Sequence, residues 1–392
     1  LFAKEQPDLN MDNPKVREEI KDIIRFWLDM GVDGFREDVI TFISKKDGLP
    51  NGFPIPVACG MEHYKCGPRL DEYLTEFRKV TDNYDCMTVG EAPMMTPKLA
   101  LRFVKEGPKQ TLNMMFNFQH MEADSFMVSW IPMPFSLKKL KNAYNRWQNK
   151  LYGIAWNANY IENHDQPRII SRYGSEKYRV ESGKMLATMY ICQSGTPFIY
   201  QGQEIGMTNP RIPTIDRYKD VSSFNNYAMF KKLHIPEDIT MKFCMYASRD
   251  NARTPMQWSD AKNAGFTQAD EPWFEINTNY TEINVESEIN NPDSILNYYK
   301  KLLRFRKEND IVKYGDFKML KTPAKLFAYI RKFENQKMLV VCSFSEKEMA
   351  FRAPDDFDIN KAELVLSNYD DNKNIRNGFL TRPYETRVYL IK

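Results

Sequence analysis

The sequence is poor in the two residues that most often build metal and disulfide sites. Its 392 residues hold six cysteines and four histidines. Cys59, Cys66, Cys86, Cys192, Cys244 and Cys342 form no C-x-x-C pair, and their gaps form no repeat. That argues against a zinc site and a dense disulfide framework. Reduced thiols and a cytoplasmic location are the default expectation. His63, His120, His164 and His234 share no metal-ligand spacing, so no His-based catalytic metal is expected. A run of about 18 apolar residues is also missing, which excludes a spanning helix. Neither sign of charge is in excess, with Lys+Arg at 55 and Asp+Glu at 52. A nucleic-acid or membrane-surface protein held by a basic face is therefore not expected. No G-x-G-x-x-G turn and no P-loop occurs, which removes the dinucleotide and nucleotide folds.

What is present is the composition of a packed chain, with 42% apolar and 27% charged residues. At about 150 residues per domain the length gives two to three domains, or one α/β barrel with a small companion. Aromatics reach 13%, which suits either a large core or a sugar-binding surface.

Asn13-Pro14 supplies an N-cap and a first-turn proline. Val16, Ile20, Ile23, Ile24 and Trp27 then recur at helical spacing until Gly31. Strands are expected over 32–40, 85–90, 111–118, 154–162 and 196–201, separated by helices over 68–82, 96–106, 136–151 and 176–193. An irregular stretch over about 202–290 carries one short helix, and a helix over 293–309 closes this part. Alternation of this kind predicts a parallel sheet. After about residue 312 the pattern changes to short strands without helices: Phe327 to Ile330, Met338 to Phe344, Glu363 to Leu366 and Arg387 to Ile391. The expected organisation is α/β: residues 1–311 form strands 4 to 8 of a (β/α)8 TIM barrel lacking about its first three βα units and the inserted domain, and 312–392 form an antiparallel β domain.

Catalytic groups of such barrels sit at the C-terminal ends of strands. The first strand ends Gly34-Phe35-Arg36-Glu37-Asp38-Val39. Arg36 and Asp38 face one side and Glu37 the other. Glu37 is expected in the strand–helix layer, where a carboxylate needs a partner. The second strand ends Thr88-Val89-Gly90-Glu91, about 5 Å away if the strands are neighbours. That separation suits retaining glycoside hydrolysis, in which one carboxylate attacks and the other moves the proton. The fourth ends Glu162-Asn163-His164-Asp165-Gln166-Pro167-Arg168. Each residue alone has a plainer explanation, a helix cap or a loop salt bridge. Three carboxylates at three strand ends, in order, point to a site.

These motifs resemble the α-amylase superfamily of glycoside hydrolases, and within it the oligo-1,6-glucosidase and α-glucosidase group. Gln6-Pro7-Asp8-Leu9-Asn10, Gln201-Gly202-Gln203-Glu204-Ile205-Gly206 and Arg249-Asp250-Asn251-Ala252-Arg253-Thr254-Pro255-Met256-Gln257-Trp258 add to the likeness, which covers essentially the whole chain. The resemblance implies Asp38 as nucleophile, Glu91 as general acid/base and Asp165 as transition-state stabiliser. It implies Arg36 and His164 as support for the cleaved glucose and Arg253 as a further substrate contact. Val39 resembles the mark of α-1,6 preference, where a small residue would suit α-1,4.

The departures are also clear. The family's first motif, an Asp followed by Asn-His, has no counterpart, and neither does the loop that often holds Ca²⁺ in relatives. Glu37 stands where relatives usually carry an apolar residue, and Glu162 where many carry Asn. The chain thus resembles a piece of a protein roughly 170 residues longer. By itself it is expected to fold poorly, with open sheet edges, and to hydrolyse nothing. Codons upstream of Leu1 would decide this.

The expected function is a monomeric, cytoplasmic, retaining α-glucosidase acting on isomaltose-type oligosaccharides. No cofactor is required, and any structural Ca²⁺ would lie outside these residues. The alternatives are trehalose-6-phosphate hydrolase, a sucrose isomerase-type transglucosidase, or a non-catalytic amylase-like binding protein. The last usually loses site carboxylates, and this chain keeps all three.

Overall fold

The computed structural model describes residues 5–54, 59–126, 128–370 and 372–392. Contacts divide the chain into two compact units, 1–119 with 150–158, and 120–149 with 159–392.

The first unit carries α1 (Pro14–Asp29), β1 (Gly34–Glu37), α2 (Leu70–Thr81), β2 (Met87–Glu91), α3 (Pro97–Val104) and β3 (Met114–Phe116). The strands pair in parallel in the order β1-β2-β3, as the alternation predicts. Asn13 accepts the Lys15 N–H at the start of α1, and Thr96 accepts the Leu99 N–H at the start of α3. α2 buries Leu70, Tyr73, Leu74 and Phe77, one stripe at helical spacing. Gly34 is required where β1 meets β2, because a Cβ there would stand 1.9 Å from the Met87 carbonyl oxygen.

Two strands are shorter than expected. β1 stops at Glu37 because Val39 turns into the left-handed region (φ 40°). β3 starts late because the Thr111 and Leu112 N–H groups both donate to the Phe103 carbonyl at the end of α3.

The elements that follow are β4 (Ser125–Phe126), β5 (Val128–Pro132), α4 (Leu137–Leu151), β6 (Ala158–Asn159), α5 (Ile169–Arg172), α6 (Arg179–Ile191) and β7 (Thr196–Pro197). Then come α7 (Val221–Lys232), α8 (Glu237–Ala247), α9 (Asp250–Arg253), α10 (Val285–Ile289), α11 (Ile295–Glu308) and α12 (Asp310–Tyr314). The strands expected over 154–162 and 196–201 are reduced to two residues each. Ile154 and Ala155 donate back to Leu151 at the end of α4, so they cannot extend a strand. The antiparallel β4–β5 hairpin is an addition. The stretch read as irregular with one short helix carries α7, α8, α9 and α10.

Among the described residues, the last strands are β8 (Lys318–Met319), β9 (Leu326–Phe333), β10 (Gln336–Ser343), β11 (Met349–Arg352), β12 (Glu363–Ser367), β13 (Gly378–Thr381) and β14 (Thr386–Ile391). They form an antiparallel sheet β12-β14-β10-β9-β8 and a pair β11-β13. Alternate residues of β9 enter two cores. Phe327 and Tyr329 pack with Met185 and Met189 of α6 and Tyr298 and Leu302 of α11. Leu326, Ala328 and Ile330 pack with Phe351, Phe357 and Phe379. A sheet covered on both faces explains why β9 and β10 read as nearly continuous apolar runs.

Among the described residues no helix is long and apolar enough to cross a membrane.

Candidate active site

The residues singled out by sequence fall into two groups, one in each unit. In the first unit, Arg36 and Asp38 do face the same way: Arg36 Nη1 lies 2.5 Å from Asp38 Oδ1. Arg36 Nη2 lies 2.7 Å from Glu91 Oε2. One guanidinium therefore bridges two carboxyls that the register of β1 on β2, Glu37 against Gly90, brings to adjoining strand ends. A side chain at Gly90 would displace its neighbours, since a Cβ would meet the Leu112 side chain at 2.7 Å and that of Ile40 at 2.9 Å.

The two carboxyls differ in setting. The Asp38 side chain is 72% exposed and Glu91 only 8%. Burial, helped by a hydrogen bond and the negative charge of Asp38, raises Glu91 to about 7 against the opposing pull of Arg36 and the Val39 N–H. The two carboxyls make an unequal pair. It is a proton-holding acid beside an open carboxylate, the division of labour that acid catalysis near neutrality needs.

Val39 joins the group through its backbone. Its N–H donates to Glu91 Oε2 at 3.2 Å from a left-handed conformation, φ 40° and ψ 38°. That conformation is strained for a β-branched residue. Glu37 faces away, as expected, but its Oε2 is buried without the hydrogen-bond partner expected for it. The group responds by holding its proton, with burial raising it to about 7.

In the second unit, His164 and Asp165 lie on the loop between β6 and α5. Asn163 starts a turn, its Oδ1 accepting the Asp165 N–H at 2.9 Å. Arg253 Nη2 lies 2.5 Å from Asp165 Oδ1, and Arg253 Nε donates to the His164 carbonyl at 3.0 Å. His164 Nε2 stands 3.5 Å from Asp165 Oδ2. Arg253 also lines a cleft of about 290 Å³ with Gln201, Met256, Phe266 and Trp273.

Sequence reasoning missed two contributors here. Arg249 lies 3.5 Å from Asp165 Oδ1 and is itself anchored on Asp220. It opens the Arg249–Trp258 motif, so its place was legible though its role was not. Beneath the loop, buried Arg172 donates to Gln166 Oε1 at 2.9 Å and pairs with buried Asp124 at 2.5 Å. Asp124→Ala strands that arginine without its counter-ion. Denaturant unfolding should show a loss of about 3–5 kcal/mol; a loss under about 1 kcal/mol would contradict the pairing. Among the aromatics of the 202–290 stretch, Trp273 is exposed, but Tyr218 is buried with its hydroxyl on the Ile212 carbonyl and cannot stack on a sugar.

Among the described residues no three His, Cys, Asp or Glu side chains converge so as to hold a metal ion.

Residues 1–315 match the model of the alpha amylase catalytic domain. The chain belongs to the alpha-amylase family. An oligo-1,6-glucosidase of Parageobacillus thermoglucosidasius is 46% identical over all of this chain and 71% of its own length. A trehalose-6-phosphate hydrolase of Bacillus subtilis (strain 168) is 41% identical, over 99% of this chain and 70% of its own. Among solved structures, an isomaltulose synthase from Klebsiella sp. LX3 superposes with TM-score 0.93 at 34% identity, covering all of this chain and 71% of that one. The family's fold, a TIM barrel followed by an antiparallel β domain, is the class expected from the alternating strands and helices. Asp38 follows the end of β1, Glu91 ends β2, and Asp165 lies on the loop between β6 and α5.

Proposed function

We propose that the protein is a retaining α-glucosidase that hydrolyses terminal α-1,6-glucosidic bonds of short oligosaccharides such as isomaltose. It is a glycoside hydrolase, and its most similar relatives include oligo-1,6-glucosidases at 45–46% identity. The Asp38–Arg36–Glu91 constellation carries the mechanism. Asp38 attacks the anomeric carbon while Glu91 gives its proton to the departing oxygen, leaving a β-glucosyl ester on Asp38. Glu91 then takes a proton from water, water attacks the same carbon, and the ester bond breaks to release α-glucose. Asp165 grips ring hydroxyls, with His164, Arg36 and Arg253 holding the glucose. In this reading residues 1–311 supply the catalytic barrel and 312–392 the β domain. The enzyme works as a cytoplasmic monomer, a setting in which its unpaired cysteines stay reduced.

Trehalose-6-phosphate hydrolysis is the second reading, favoured by relatives at 41% and 38% identity. The native gene product should be assayed on isomaltose, maltose, trehalose 6-phosphate and sucrose, following the anomer first released. Isomaltose should give the highest kcat/KM, with α-glucose first. A preference for trehalose 6-phosphate transfers the proposal to that substrate, and β-glucose first contradicts a double displacement.

Val39 is proposed to set linkage preference. Val39→Ala should shift the isomaltose-to-maltose ratio of kcat/KM toward maltose by about tenfold or more, the scale of a methyl-sized change in a pocket. An unchanged ratio removes Val39 from specificity.

A further inference from the structure

The loop that presents His164 and Asp165 is held shut by a side chain the chemistry does not use. Glu162 stands just before the loop and its side chain is almost wholly buried. Its Oε1 accepts the Ile169 N–H, just after the loop, at 2.8 Å. Its Oε2 pairs with Arg168 Nη1 at 3.1 Å, and that side chain is equally buried. Arg168 is fixed in turn. It donates to the Gln201 carbonyl at 2.7 Å, its guanidinium lies 5.2 Å from the centre of the Tyr200 ring, and its backbone N–H donates to Asn209 Oδ1 at 2.8 Å. One carboxylate therefore spans the chord of a six-residue loop, residues 163–168, with Asp165 inside it.

A buried ion pair is weak evidence for stability, because apolar residues of the same volume often serve as well. What this pair adds is direction. Acceptor and charge sit on one side chain, so the loop's two ends cannot separate without exposing both. Burial also makes the charge-assisted contacts strong, since water does not compete for them.

We propose that Glu162 is a positioning residue, its carboxylate tying residue 162 to residues 168 and 169 so that Asp165 is presented in one fixed place. The role rests on Asp165 acting on the sugar, as proposed above. In this proposal Glu162 and Arg168 act through the loop rather than on the sugar.

Three variants of the native gene product test it: Glu162→Gln, the double variant Glu162→Gln/Arg168→Met, and Asp165→Asn as a control. The readouts are amide hydrogen exchange of residues 163–169, the thermal midpoint, and kcat and KM on isomaltose. Glu162→Gln keeps an acceptor oxygen but removes the charge. Exchange should rise by about tenfold or more within 163–169 and stay near wild type elsewhere. Turnover should fall by about tenfold or more with KM changed by less than about threefold, since a misplaced group costs most in the transition state. The double variant removes both buried charges, so its midpoint should return to within about 2 °C of wild type while loop exchange stays high and kcat stays low.

Wild-type exchange in 163–169 for Glu162→Gln would overturn the proposal. So would a double variant that regains both midpoint and kcat, since the pair would then serve stability alone. If Glu162→Gln fails to fold, the double variant decides by the same criteria. Full turnover in Asp165→Asn would instead sink the role given to Asp165, and the exchange data would still judge the clasp by themselves.

Discussion

Asp38→Asn should lower kcat on isomaltose by about 10⁴-fold or more in the native gene product, with a thermal midpoint close to wild type. The size follows from removing the only group that forms the covalent bond, as with other nucleophile deletions. The substitution is isosteric, and Asp38 is exposed, so little packing is lost. Arg36 keeps its contact with Glu91. A second consequence separates chemistry from misfolding. The negative charge of Asp38 helps hold the proton on Glu91. Without it, the residual activity should lose its proton at lower pH, and the basic limb of the pH profile should move down. Asp38→Ala supplied with azide gives the complementary test. Azide takes the attacking position, Glu91 protonates the leaving sugar, and β-glucosyl azide accumulates. Hydrolysis unchanged in Asp38→Asn would remove Asp38 from the nucleophile's role.

Glu91→Gln should lower kcat on isomaltose by about 10²–10⁴-fold, the range for a positioned general acid. An aryl glucoside whose leaving group departs without a proton should lose far less in the first step. The pH dependence has a definite sign. Glu91 must be protonated to act, and it is raised to about 7, so wild-type activity should fall above about pH 7. That limb should vanish in Glu91→Gln. Stability carries the same signature. A carboxyl raised from 4.5 to about 7 contributes most below the unfolded value and loses that contribution as pH rises through the folded value. Glu91→Gln should therefore match wild type in the acid range and gain on it above about pH 7. Equal unfolding midpoints for the two proteins at pH 5 and pH 8.5 would contradict the shift.

Much of this architecture was legible in the residues. Asn13-Pro14 announces a helix start because capping chemistry is local. The facing of Arg36 and Asp38 follows from the two-residue period of a strand, and the parallel sheet from strands separated by helices. The failures have more than one cause. α7 was not located because its apolar residues, Phe224, Tyr227, Met229 and Phe230, form no single stripe. The strand around β6 was overdrawn because the Ile154 and Ala155 N–H groups turn back onto Leu151 at the end of α4. At the site, the group holding Asp38 was visible, but Arg249 and the Arg172–Asp124 brace under Gln166 lie far from Asp165 along the chain or on another element. The missing partner of Glu37 is likewise a fact of three-dimensional packing.

The most direct test is to trap the covalent intermediate. The native gene product is incubated with a fluorinated α-glucosyl fluoride, which forms the glucosyl ester quickly and hydrolyses slowly, then digested and mapped by mass spectrometry. One glucosyl adduct should be found, on the peptide containing Gly34 to Ile40, with the fragment ions placing it on Asp38. An adduct on Glu91 or Asp165, or turnover of the reagent with inversion and no adduct, would contradict Asp38 as the nucleophile of a retaining α-glucosidase.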